Sequence, residues 1–62
     1  MNRAHLEKEY AALLNQKIGL MASLITTVKD EDWREVVDIS LQLCTVDGMI
    51  LAMQKCMGAI DD

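Results

Sequence analysis

Proline and phenylalanine are absent, and the aromatic complement is Trp33 and Tyr10 alone. The apolar content is therefore almost all aliphatic, and at 52% it is too high for a disordered chain. Bases are few: Arg3, Lys8, Lys17, Lys29, Arg34 and Lys55 stand against ten acids, for a net charge of −4. They are scattered, with Lys29 and Arg34 set among acids. The clustered basic face that displaces phosphate counterions is missing, which disfavours nucleic acid as a partner. Acidity favours solubility, or a basic partner, and says little about fold.

Histidine occurs once, at His5, in a first turn expected to fray, with no serine or cysteine nucleophile placed beside it. Gly19, Gly48 and Gly58 are too far apart for a phosphate-binding loop. The two cysteines, Cys44 and Cys56, are twelve residues apart. On one helix that is about 18 Å of rise, beyond the roughly 7 Å between Cα atoms that a disulfide tolerates. Neither has a CxxC or Cys/His neighbour, so a zinc site is not expected. Buried, reduced thiols are the expectation, with a bridge between chains across a symmetry axis as the alternative. No metal, no cofactor and no enzymatic activity are expected.

Long apolar runs are lacking too. The longest, such as Met49 to Met53, fall far short of the roughly 20 residues that span a bilayer. Arg3, His5, Glu7, Lys8 and Glu9 interrupt any early secretory segment. The expectation is a cytoplasmic chain with no membrane partner.

What is present is helical periodicity on either side of one charged knot, Lys29-Asp30-Glu31-Asp32-Trp33-Arg34-Glu35. Two apolar seams run through the first half. One is Leu6, Tyr10, Leu13, Lys17, Leu20, Leu24; the other is Ala11, Leu14, Ile18, Met21, Ile25, Val28. Steps of three and four residues place each seam on one helix face. The second half carries the stricter pattern: Val36, Ile39, Leu43, Val46, Ile50, Met53, Met57 and Ile60 are all apolar. The phase persists through Asp47-Gly48, a pair that otherwise reads as a turn, so one helix is expected there. Val37, Leu41, Cys44, Gly48 and Leu51 form a seam beside it, and Ser40, Asp47, Gln54 and Asp61 a thin solvent line.

Residues 1–62 thus read as one all-α domain: a helix over about 3–29, a turn at 30–32 and a helix over about 31–59. Asp32 and Glu35 have the spacing of a capping box at the second helix. Matched lengths and a short turn predict an antiparallel hairpin. Two seams per helix predict two layers of contact, one closing the hairpin and one packing on a second hairpin. A homodimeric four-helix bundle is the simplest product, and a chain this small needs such support. Val36, Ile39, Leu43, Val46, Ile50 and Ile60 are the expected core or oligomer seam.

In size, central turn and dimer logic the chain resembles the Rop-type hairpin, an RNA-binding plasmid regulator. The likeness is architectural. The helix-one positions with which such a protein grips RNA hold Tyr10, Leu14 and Ile18 here. Three functional readings are open. The first is a non-catalytic interaction protein that associates with itself and acts by binding another protein, as an adaptor, co-chaperone or inhibitor. Its size fits a phage or mobile-element accessory protein, which would place it in the host cytoplasm. The second is a Rop-like RNA-binding dimer. The third is a metal-dependent nucleotide hydrolase using Glu31, Glu35 and Asp38, which share a helix face; the solvated face is the ordinary reading of that trio. Candidate recognition residues are Trp33, which as a plain structural residue would instead lid the hairpin, and the methionine stripe Met49, Met53 and Met57, which as core would pack against Leu6, Tyr10 and Leu13.

Overall fold

A computed structural model describes residues 3–59; Ile60 of the strict seam and Asp61 of the solvent line lie outside the described residues. Two helices of 27 residues, α1 (Arg3–Lys29) and α2 (Trp33–Ala59), pack against each other as a hairpin. α2 runs unbroken through Gly48, as its phase requires.

The N–H groups of all three turn residues are hydrogen-bonded back to α1. Asp30 N–H donates to Thr26 O at 3.0 Å and closes the last turn of α1. Glu31 then enters the left-handed region, with φ of 57°. Its N–H donates to Val28 O at 3.0 Å, and Asp32 N–H reaches back to Thr27 O at 3.1 Å. This pair of bonds is the Schellman arrangement that satisfies the orphan carbonyls of a helix end. Asp32 simultaneously opens α2: its carbonyl accepts from Val36 N–H at 3.0 Å, and its Oδ1 accepts from Glu35 N–H at 3.3 Å. One residue therefore ends one helix and caps the next.

The expected start of the second helix, about residue 31, is corrected to Trp33. Glu31 and Asp32 are spent on the turn. Only one arm of the capping box forms in the expected way, because Asp32 N–H already has Thr27 O as its acceptor. Lys29 in the last turn of α1 and Glu35 in the first turn of α2 each suit the adjacent end of a helix dipole.

The hairpin closes on the first seam of each helix. Leu6, Leu13, Ile39, Val46 and Ile50 are the buried side chains among the described residues. Leu13, Val46 and Ile50 form the central cluster, with Tyr10, Leu20 and Met53 packed against it. Polar contacts also cross between the helices. Gln54 Nε2 donates to Tyr10 Oη at 2.9 Å, and Lys17 Nζ lies 2.8 Å from Asp47 Oδ1. Both steps, Tyr10 to Lys17 and Asp47 to Gln54, are seven residues, so the two contacts agree on one register; extended by the same step, it places Leu24 beside Ser40. The line Ser40, Asp47, Gln54 thus borders the seam between helices, with Gln54 still exposed. Ser40 and Asp47 are half-buried there.

The turn yields the first test. Glycine occupies the left-handed position without the steric cost that Glu31 bears, although it loses more backbone freedom on folding. Glu31→Gly should raise stability by roughly 0.5–1 kcal/mol, and Asp32→Ala should lower it by about 1 kcal/mol. Thermal unfolding followed by circular dichroism checks both signs.

Candidate interaction face

The second seams of both helices remain uncovered. In α1, Leu14, Ile18, Met21, Ile25 and Val28 are exposed, Ile18 by 65%. In α2, Val37, Leu41 and Leu51 are exposed, Leu41 by 62%, and Cys44 lies with them. At about 100° per residue, the exposed strip of α1 lies about 100° around the helix from its buried seam. That of α2 lies about 150° from its own, in the same rotational sense. Antiparallel helices are viewed from opposite ends, so an offset of the same sense brings both strips to the same side of the hairpin. Trp33, 59% exposed, falls on this side at the turn end. Of the ten large apolar side chains exposed among the described residues, Met49 lies toward the other side and Leu41 points almost directly away from α1.

Two uncovered apolar strips of this extent are unusual on a stable monomer, whereas scattered single residues are ordinary. The groove between the two strips carries the polar cross-helix contacts. Tyr10–Gln54, Lys17–Asp47 and the Leu24–Ser40 level succeed one another along it. Lys17 and Asp47 retain 37% and 49% side-chain exposure, so in the lone hairpin their pair is a surface salt bridge of small worth.

The expected recognition residues separate in space. Met53 and Met57 are half-buried on the hairpin seam, and Met53 packs on the central cluster. Met49 is 49% exposed, so the ridge of the three methionines runs from an exposed end at Met49 onto the hairpin seam. Trp33 leaves most of its surface in solvent and does not lid a single hairpin. Val36 and Leu43 are half-buried in the seam beside Ile39, Val46 and Ile50. The cysteines overturn an expectation outright. Both are exposed, Cys44 because its strip is uncovered and Cys56 because it lies one helix face away from the buried seam.

The remaining candidates do not converge. Glu31 sits in the turn while Glu35 and Asp38 are exposed on α2, and no metal-binding group of three or more ligands forms among the described residues. His5 is exposed in the first turn of α1. Arg3 pairs with Glu7 at 3.1 Å and Lys17 with Asp47, while Lys8, Lys29, Arg34 and Lys55 are spread along both helices. An open depression of about 450 Å³ lies at the turn end, lined by Ala22, Ser23, Thr26, Thr27, Glu35 and Ile39. Its threonine hydroxyls are already committed, Thr26 Oγ1 to Ala22 O and Thr27 Oγ1 to Ser23 O.

Each helix also contains an 18-residue stretch long and apolar enough to cross a bilayer. Counting uninterrupted runs hides this, because isolated polar residues break the runs without lowering the average much. Any such stretch of α1 includes Lys17, and any of α2 includes Asp47.

No family model, curated protein or solved structure matches the chain.

The thiols report directly on this face. In dilute native protein, iodoacetamide should alkylate both Cys44 and Cys56. Covering the face should slow Cys44 and leave Cys56 unchanged, as read by peptide mass mapping.

Proposed function

We propose that the protein is a non-catalytic interaction module: a helical hairpin that self-associates into a four-helix bundle and acts by binding another protein, as an adaptor, co-chaperone or inhibitor in the cytoplasm. The observation that carries this reading is the pair of uncovered apolar strips, to which most of the large apolar side chains exposed among the described residues belong. Leaving those side chains in water forgoes about 25 cal/mol for each Å² of apolar surface that a partner would cover. A hairpin whose buried side chains number five among the described residues has little stability in reserve to carry that loss. Association supplies what one hairpin lacks.

The size of the face suits such a partner. The hairpin measures 48 × 14 × 12 Å. Its broad side presents a flat footprint on the order of 700 Å², near the roughly 800 Å² that each partner buries in a stable protein interface. The side bearing Met49 and the outer polar lines stay available for a different protein once the apolar face is occupied. An adaptable methionine on that side suits that use.

Two substitutions that each introduce a lysine separate the two sides. Ile18→Lys places a charge in the apolar face and should leave the chain monomeric by light scattering. Met49→Lys should leave the association intact. Association that survives Ile18→Lys and is lost with Met49→Lys would overturn the assignment of the face.

A further inference from the structure

We propose that the second copy packs with its turn at the same end, on a two-fold axis running along the groove, so that Lys17 and Asp47 of both copies close a four-membered ring of alternating charge inside the bundle. α1 of each copy then lies against α2 of the other. This arrangement rests on the proposed self-association and adds its geometry.

Two isologous arrangements can cover the face. With the axis along the helices, the turns meet and α1 faces the partner's α2. With the axis across the helices, the turns are at opposite ends, and each helix faces its own copy. Both satisfy the apolar strips, because each strip is spaced symmetrically to within one residue about its middle: Leu14, Ile18, Met21, Ile25 and Val28 about Met21, and Val37, Leu41, Cys44, Gly48 and Leu51 about Cys44. Apolar content alone therefore does not choose between them.

The groove does choose. In the register set by Tyr10–Gln54 and Lys17–Asp47, the middle of the face falls at Met21 and Cys44, so the ion pair lies about 6 Å off centre, toward the open end. An axis across the helices turns this level onto the Leu24–Ser40 level of the other copy. It would bury each copy's Lys–Asp pair against a leucine and a serine hydroxyl, with no second opposite charge to offset the desolvation. An axis along the helices keeps every level on its own counterpart. Lys17 and Asp47 then meet a second Lys17 and Asp47, and the charges alternate around the bundle. Each ion gains a second opposite neighbour in place of the water it loses. Polar layers of this kind commonly fix register and orientation more than they add stability.

The same arrangement sets the strips against each other in complementary sizes. Leu14, Ile18, Met21, Ile25 and Val28 lie within about 3 Å of level with Leu51, Gly48, Cys44, Leu41 and Val37 respectively. Across the interface, Ile18 meets Gly48 and Met21 meets Cys44, a large residue against a small one each time.

Cysteine crosslinking decides the case. In the Cys56→Ser background, copper-phenanthroline oxidation is applied to three full-length proteins: one with Cys44 alone, one with Met21→Cys and Cys44→Ser, and one with Met21→Cys and Cys44 together. With the axis along the helices, Cys44 and its copy are on diagonal helices, about 14 Å apart for interaxial distances near 10 Å, beyond disulfide reach. The first two proteins should stay monomeric on a non-reducing gel and the third should run as a covalent dimer. Covalent dimers from the two single-cysteine proteins would show the crossed arrangement, overturning this proposal while leaving self-association standing. A chain that sediments as a monomer in buffer and floats with phosphatidylcholine vesicles would show that lipid covers the face, and both readings would fall. A second measurement reads the ring itself. Lys17→Glu, which gathers four acids in one layer, should weaken dimerisation at least tenfold, and adding Asp47→Lys to it should restore the dimer; dimerisation indifferent to Lys17→Glu would overturn the ring.

Discussion

Two antiparallel helices can bury only one strip of each, and this chain carries two strips per helix. That constraint shapes everything else in the structure. The seams through Leu13 and Val46 meet and close the hairpin. The seams through Ile18 and Leu41 are then turned to a common side and left in water. The angular offset between strips is written into the three- and four-residue spacing, so no rotation of the helices can hide both at once. The exposed face is a consequence of the closed one.

The turn makes this geometry definite. Asp32 N–H completes the end of α1 and Asp32 Oδ1 opens α2, with Glu31 bearing a left-handed backbone between them. So short a connection leaves no slack for the helices to slide. The cross-helix contacts at Lys17–Asp47 and Tyr10–Gln54 continue the register that the turn begins. These contacts are worth little as isolated surface interactions. Their consequence is positional, because they hold both exposed strips level and on one side.

Much of the fold is legible in the sequence. Helical periodicity marks the two helices, the charged knot marks the turn, and the persistence of phase through Asp47-Gly48 correctly outweighs the local turn signal. The start of α2 is displaced by two residues from its expected place because spacing alone does not reveal a left-handed Glu31. The interaction face is less legible. Both strips are visible, but which one closes the hairpin depends on helix rotation, a tertiary choice that either strip satisfies locally. Met49, Met53 and Met57 divide for this reason, since one helical ridge runs from the core at Met53 to an exposed position at Met49. The thiols mislead in the same way: an apolar neighbourhood in sequence becomes burial only for the seam that finds a partner. The signal that locates the face is the pairing of Leu14, Ile18, Met21, Ile25 and Val28 with Val37, Leu41, Cys44, Gly48 and Leu51, taken together and not helix by helix.

Sedimentation equilibrium of the reduced wild-type protein, over a wide concentration range, tests most directly whether a second copy of the chain covers the apolar face. The predicted result is a species of twice the 7.0 kDa chain mass that dissociates only on dilution. A well-folded 7.0 kDa monomer at every concentration would contradict it, because such a chain would be holding the whole face in water unaided.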